Sequence, residues 1–347
     1  MGSFLAVELL KKGYKIYGLA RANKDKSAKE RVYDALKFVY EDDFDKEFID
    51  KNVEVIEGDI IKKDLGIERK ILLKMSNKID ILLHCAAIIN QKTSLDKIRL
   101  TNVEGTKNVL FLARELKKRG RLKKINHLST IFVVGKEVTE FTETMLDLGQ
   151  EFYSSYEKSK FEAELVVSDF IKEGLNISIF RPSLIMGDSI KGKIKKFNLF
   201  YQPLRCLANG IFDIFPADLS CSQNFIHVDT VASAIVVLLE DPEAQVYHIC
   251  SPNALSVRAF LESAQEFFGF KMPEFIPAEQ FNFDKLTFVQ KALAEPFLPY
   301  FNYKTVFVLE NTISKLKRYN FFIPELKKQS LLRIFDFCNL AGFIKKE

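Results

Sequence analysis

"MGSFLAVELLKKGYKIYGLAR", residues 1–21, reads as helix, stop and strand: Phe4–Lys12 favours a helix, Gly13 ends it, and Lys15–Leu19 alternates in the manner of a strand. The same order recurs through the first two thirds of the chain. Further strands are expected at Val53–Gly58, Ile79–Cys85, Ile125–Val134, Ile177–Arg181 and Val246–Cys250. Helices are expected between them at Ala28–Phe38, Asn102–Lys118, Tyr156–Glu173 and Asp229–Leu239. Most of these strands are too apolar to have a wet face. Apolar strands separated by amphipathic helices predict a parallel sheet covered on both sides, that is, a doubly wound α/β fold. Such sheets hold ligands outside the carboxyl ends of their strands.

Residues 188–224 and 252–347 break the alternation and are rich in Phe, with helical patterns near 256–268, 282–294 and 304–318. They are expected to form a smaller, mostly helical region over the sheet. The chain has 347 residues, 47% hydrophobic and 28% charged, which is ordinary for a soluble globular protein. Its net charge of +5 is too mild and dispersed to point to nucleic acid and suits anionic small molecules. Cys85, Cys206, Cys221, Cys250 and Cys338 are odd in number and widely spaced, so neither a disulfide framework nor a zinc site is expected, and a reducing cytoplasm is the expected location. The longest apolar run, Val231–Leu239, falls far short of the roughly 18 residues of a membrane span. His84, His127, His227 and His248 lie in strand-like runs without metal-ligand spacing, so structural roles are expected.

The strongest chemical signal is "SSYEKSKFEAE", residues 154–164. Tyr156 and Lys160, four apart, share one face of a helix. Such a pair also arises on solvated helices, but an ammonium beside a phenol is expected to lower its pKa from about 10 and make it a proton donor or acceptor. Upstream, "INHLSTIFVVG", residues 125–135, ends an apolar strand in Ser129 and Thr130, whose hydroxyls could meet a substrate oxygen or simply satisfy local backbone.

Hydroxyl followed by Tyr-x-x-x-Lys resembles the short-chain dehydrogenase/reductase superfamily in its extended form. Other landmarks follow in order. "EGDI" (57–60) is similar to the Gly-Asp segment that implies Asp59, followed by Ile60, at the cofactor's adenine. "HCAA" (84–87) resembles the small-residue turn after the fourth strand and implies close cofactor approach at Cys85, Ala86 and Ala87. "TNVEGT" (101–106) implies that Asn102 supports the active-site helix, and "FRPS" (180–183) that Pro182 and Ser183 lie beside the nicotinamide. "FIHVDTVA" (225–232) resembles a late motif in which Asp229 opens a helix as its N-cap. Gly2 and Ser3 resemble the third glycine of G-x-x-G-x-x-G and its follower. The resemblance therefore implies an N-terminally truncated form, lacking the first strand and two glycines, the alternative being a short form with impaired cofactor binding. Loss of that central strand is expected to bare apolar edges on its neighbours.

In "LARANKDKS" (19–27) Arg21 stands at the strand end with Lys24 and Lys26 nearby and no carboxylate at that point. A cation there pairs with a 2′-phosphate, so NADP(H) is expected over NAD(H). "RPSLIMGDSIKGKIKKFNLFYQPLRCL" (181–207) resembles thioester reductase domains and fatty acyl-CoA reductases, the male-sterility-like branch. That resemblance implies a triad of Thr130, Tyr156 and Lys160, with Ser129 adjacent, reducing an acyl thioester on coenzyme A or a carrier, or a related carbonyl. It implies a Rossmann domain at 1–187 and 225–251 and a substrate-binding region at 188–224 and 252–347. "FNLFYQPL", "IFDIF" and the phenylalanines of 260–301 could line an acyl channel or be plain core. "KKRGRLKK" (117–124) reads as a solvated basic turn, with docking of an acidic carrier or coenzyme A phosphates the sharper alternative. The expected partners are a small-molecule or carrier-bound acyl substrate and a second copy in a homodimer, with no nucleic acid. Rival readings on the same fold are a nucleotide-sugar epimerase or dehydratase, a sterol-type dehydrogenase, and a non-catalytic NADP-binding regulator.

Overall fold

The computed structural model describes residues 1–197, 200–301 and 303–346, apart from the side chain of Pro299. In the first part, helices α1 (Gly2–Lys11), α2 (Ala28–Tyr40), α3 (Lys46–Asn52), α4 (Arg69–Ser76), α5 (Leu95–Arg99) and α6 (Gly105–Arg119) alternate with strands β1 (Ile16–Ala20), β2 (Val53–Glu57), β3 (Ile81–His84) and β4 (Lys124–Leu128). Next come β5 (Glu140–Phe141), α7 (Ser155–Lys172), β6 (Ile177–Pro182), β7 (Leu184–Met186), α8 (Tyr201–Ala208), β8 (Ile214–Pro216), β9 (Ser222–Gln223), β10 (Phe225–His227), α9 (Val228–Leu238) and β11 (Val246–Ile249). The chain closes with β12 (Leu255–Ser256), α10 (Val257–Phe268), β13 (Glu274–Ile276), α11 (Phe288–Ala294), α12 (Leu298–Phe301), β14 (Val306–Phe307), α13 (Glu310–Arg318) and α14 (Lys328–Leu340).

The expected parallel sheet is present in two pieces. One has the order β11-β6-β4-β3 and the other is the pair β1-β2, every pairing being parallel. All of β6 is buried, as a strand covered on both faces requires, whereas β1 is half-buried along its length. Among the described residues β1 and β3 each have one edge without a strand partner. Side chains still join the pieces: Tyr17 and Leu19 of β1 and Leu82 of β3 pack against the cluster of Ile56, Ile60, Leu65 and Val109.

Two larger cores flank the ends of the four-stranded sheet. In one, Phe4 and Leu5 of α1 meet Phe180, Val231, Ile235 and Ile249. The other collects the phenylalanines of the C-terminal region, but it also takes Ile131–Val134 and Phe141 from earlier in the chain. β5 pairs with β14, so residues read in sequence as part of the Rossmann domain are stitched to the C-terminal part of the chain.

A buried ion pair ties α7 to the sheet. Arg181 Nη2 donates to Glu164 Oε2 at 2.7 Å and Nε donates to Oε1 at 3.0 Å, with the two side chains 1% and 0% exposed. Arg181 Nη1 also donates to the Met145 carbonyl at 2.9 Å, so the guanidinium is bonded along its rim. Removing the carboxylate would strand a desolvated cation, so Glu164→Gln is expected to lower the unfolding free energy by about 3 kcal/mol or more, read by urea denaturation.

Candidate active site

The expected strand Ile125–Val134 ends early: β4 stops at Leu128, and residues Ile131–Val134 form a short 3₁₀ turn. Thr130 Oγ1 accepts from the Phe132 amide at 3.4 Å and so caps the turn. Gly135 then leaves it at φ +71°, where an added Cβ would lie 2.2 Å from the Glu151 carbonyl oxygen, so only glycine fits. This break, invisible in an unbroken apolar run, leaves Ser129 and Thr130 at the carboxyl end of β4.

Ser154 caps α7 by accepting from the Glu157 amide at 3.2 Å, which places Tyr156 in the first turn. The Thr130 side chain lies beside the Tyr156 hydroxyl. Ser129 Oγ is buried with no hydrogen-bond partner among the described residues, an unspent group of the kind that a bound oxygen satisfies. One turn along, Lys160 Nζ donates to the Leu128 carbonyl at 2.8 Å and to His127 Nε2 at 3.4 Å. His127 is thereby held as a neutral acceptor.

The electrostatics overturn one expectation. Burial, with the Glu157 carboxylate adding to it, pushes the Tyr156 phenol up to about 12, although the Thr130 side chain pulls the other way. Lys160 is itself pulled down to about 8 by burial, and its ammonium is engaged with a carbonyl and an imidazole. Tyr156 is therefore held protonated at neutral pH, as a donor.

Asn102 sits in a single π turn, Leu100–Glu104, joining α5 to α6. Its Nδ2 donates to Ser159 Oγ on α7 at 2.9 Å and to the Ile88 carbonyl, while Oδ1 accepts from the Ile88 amide. One side chain thus fixes both α7 and the loop after β3. In that loop Ala86 and Ala87 are exposed, and Cys85 lies against the start of α1. A Cβ on Gly2 would make only ordinary contact with Cys85 Sγ at 3.6 Å, so packing alone does not demand glycine there.

At the ends of β1 and β2, Arg21 Nη1 meets Asp59 Oδ2 at 3.5 Å on an exposed rim. Lys24 is exposed beside them, whereas Lys26 is paired with Asp34. Ile60 turns its side chain into the core and offers only backbone, its carbonyl accepting from Asn108. Pro182 and Ser183 are buried at the end of β6. Asp229 is not the N-cap it was expected to be. His227 occupies that position, and the Asp229 carboxylate accepts from the Ser189 amide at 3.1 Å and hydroxyl at 2.6 Å, pinning the loop after β7. The donors at the strand ends fit a dinucleotide: small exposed residues for close approach, a cationic rim, and unspent hydroxyl groups at the far end.

Sequence reasoning missed Glu157, Gln91 and Tyr300. Glu157 is 1% exposed, accepts from the Tyr300 hydroxyl at 2.7 Å and from the Tyr153 amide at 2.9 Å, and is pushed up to about 7 by burial. No local pattern signals it, because its partner is 143 residues away. Tyr300 also lines a small apolar crevice of about 20 Å³ with Leu184, Phe200, Pro203, Gln223, Phe225, Val257, Phe260, Phe297 and Phe301. Of the phenylalanines read as channel lining or plain core, Phe200, Phe260, Phe297 and Phe301 border this crevice, and Phe200, Phe260 and Phe301 are also part of the buried core. Phe212 and Phe215 of "IFDIF" are core instead, and Asn198 and Leu199 lie outside the described residues. The basic run 117–124 is far from this: it precedes β4, at the sheet's amino edge, and Arg121 pairs with Asp80 while Lys117 donates to the Gly174 carbonyl. Among the described residues no helix is long and apolar enough to cross a membrane.

A family model described as "Male sterility protein" matches residues 1–235. The chain belongs to that family. Membership places it among the NAD(P)-dependent oxidoreductases of the extended short-chain dehydrogenase/reductase type. Among curated relatives, the L-2-aminoadipate reductase large subunit of Candida glabrata is 27% identical over 262 residues, covering 70% of this chain and 18% of that protein. The carboxylic acid reductase of Segniliparus rugosus is 30% identical over 268 residues, covering 69% and 22% respectively. The chain thus spans about a fifth of the length of these relatives. The solved terminal R domain from the myxalamid PKS-NRPS biosynthetic pathway superposes with a TM-score of 0.84 at 23% identity, covering 99% of this chain and 89% of that one. A thiolation-reductase di-domain from an archaeal non-ribosomal peptide synthetase gives 0.77 at 24% identity, with 99% and 74% covered. This male sterility family member therefore shares the reductase-domain fold from end to end.

Proposed function

We propose that this family member reduces an acyl thioester, presented on coenzyme A or a carrier, with NADPH. The reading is carried by the protonated Tyr156 phenol beside Thr130 and the unspent Ser129 hydroxyl at the carboxyl end of β4. It is supported by relatives that are reductases by name.

The bound nicotinamide supplies a hydride to the acyl carbon. As the carbonyl becomes an oxyanion, Tyr156 and Thr130 stand as donors to it and Tyr156 gives up its proton. The resulting hemithioacetal expels thiol and leaves aldehyde, so that NADPH, a proton and thioester become NADP⁺, aldehyde and thiol. In this reading Lys160, held by Leu128 and His127, would bind the cofactor's ribose, and Asn102, bonded to Ser159, would keep α7 in register. Loss of NADPH absorbance with trapping of aldehyde tests the reading against acyl-CoA, acyl-pantetheine, free aldehydes and UDP-sugars. Turnover of thioester is expected, and consumption of none but the UDP-sugars would overturn it.

Arg21 and Lys24 favour the 2′-phosphate, since Arg21 has only a long contact to Asp59 to give up. Arg21→Glu is expected to reduce the NADPH-over-NADH ratio of kcat/KM by about tenfold or more, the worth of a charge-assisted hydrogen bond.

A further inference from the structure

Glu157 follows Tyr156 in the first turn of α7, and its carboxyl is buried without an ion-pair partner among the described residues. Lys136, the cation that acts on it, is itself paired with Glu151 at 3.2 Å. The Glu157 oxygens are shared instead between two parts of the chain. Oε2 accepts from the Tyr153 amide at 2.9 Å, and Oε1 accepts from the hydroxyl of Tyr300 in α12 at 2.7 Å. Tyr300 in turn accepts from Gln91 Nε2 in the loop after β3 and meets Phe132, two residues past Thr130, edge to face at 5.2 Å between centroids. One phenol from the C-terminal region therefore fixes Glu157 within the turn that carries Tyr156. The other titratable groups facing the carboxyl are the phenols of Tyr153, Tyr156 and Tyr303, with Glu137 near Tyr153. Burial pushes all three phenols up, so the charge that varies in this cluster is the one on Glu157.

We propose that Glu157 is a positioning residue that grades Tyr156 as an acid: neutral, it lets negative charge gather on the phenol oxygen during proton transfer, and ionised, it opposes that charge. The proposal rests on the reductase reading for Tyr156 as the proton donor. A buried charge disfavours a like charge forming beside it, and low-dielectric surroundings enlarge the effect. Tyr156 gives its proton to the substrate oxygen and is left as phenolate, so the opposition is felt in the transition state. Burial pushes Glu157 up to about 7, while the Tyr300 hydrogen bond pulls the other way. Both forms are therefore populated near neutral pH, with the neutral acid dominant below about 7. Reduction is expected to slow as pH rises through that value.

The test uses Glu157→Gln, which holds the side chain in a neutral shape, and Tyr300→Phe, which keeps the ring on Phe132 and removes the hydrogen bond. The infrared carbonyl stretch of the protonated carboxyl, identified by its absence in Glu157→Gln, follows the titration without turnover. It is expected to vanish near neutral pH in the wild type and at higher pH in Tyr300→Phe, whose carboxylate has lost a donor. Activity is read as the quotient of wild-type over Glu157→Gln single-turnover rates, which report the chemical step and from which the titration of Lys160 cancels. That quotient is expected to fall about threefold or more between about pH 6 and 8, and Tyr300→Phe is expected to displace the fall upward. A flat quotient overturns the proposal, and so does a Tyr300→Phe profile that keeps the wild-type inflection. Should Glu157→Gln not fold, the wild-type and Tyr300→Phe profiles decide alone. Rates use whichever thioester or free aldehyde the wild type reduces best. Reduction of aldehydes alone sinks the thioester reading, and the Glu157 quotient still decides by the same criteria.

Discussion

Tyr156→Phe is expected to cut reduction by a factor of about 10² to 10⁴, the usual contribution of a positioned general acid. The ring and its place in the first turn of α7 persist, since Ser154 and Asn102 fix the helix without the hydroxyl. NADPH affinity, measured separately by fluorescence titration, should move little. The direction of the phenol's shift decides the pH behaviour. Held at about 12 by burial, Tyr156 is a competent donor throughout the neutral range and loses competence only as pH rises through that value. An inflection in kcat near pH 7 or 8 therefore belongs to Glu157, at about 7, or Lys160, at about 8. Full activity in Tyr156→Phe would remove the proton donor from the scheme.

Acidification toward pH 4.5 is expected to destabilise the protein. Burial holds His84 and His248 at about 3 and His127 well below its usual value. Each has a reason to stay neutral. His84 is buried near the Lys160 ammonium, His127 Nε2 accepts from Lys160, and His248 Nε2 accepts from Arg181. The unfolded chain protonates each imidazole below about 6.5 while the native state does not, so stability is intact above that pH and falls toward about 3. At pH 4.5 His84 and His248 together cost about 5 kcal/mol, and His127 adds to the loss in the same direction. Glu157 acts in the opposite sense. Its raised carboxyl makes the native state bind the extra proton between about 7 and 4.5, restoring about 3 kcal/mol. Before His127 is counted the net loss is about 2 kcal/mol, a large fraction of the stability of many domains. Circular dichroism across the pH range checks it, and His84→Gln should recover about 3 kcal/mol at pH 4.5 relative to neutral pH. A stability that is flat from pH 7 to 4.5 would contradict the neutral histidines.

Much of the fold was legible because periodicity is a local property. The strand reading at Val53–Gly58, the glycine stop at Gly13 and the helix through Tyr156 and Lys160 each follow from residues within one or two turns, and the structure places elements there. Where the local signal was ambiguous the reading failed. Ile131–Val134 is as apolar as a strand but turns, because Thr130 caps it and Gly135 adopts a left-handed backbone. Asp229 has the composition of an N-cap yet serves Ser189, a residue 40 positions away.

The sequence by itself determined the alternation of buried strands and amphipathic helices, the hydroxyl group at the end of β4 and the four-residue spacing of Tyr156 and Lys160. Only the tertiary structure decided the sign of the Tyr156 shift, the Glu157–Tyr300 bond across 143 residues, and the unpaired Gln223 amide among phenylalanines. Spacing along a helix fixes which side chains share a face. Desolvation and pairing depend on what the rest of the chain brings against that face, and no local window contains it.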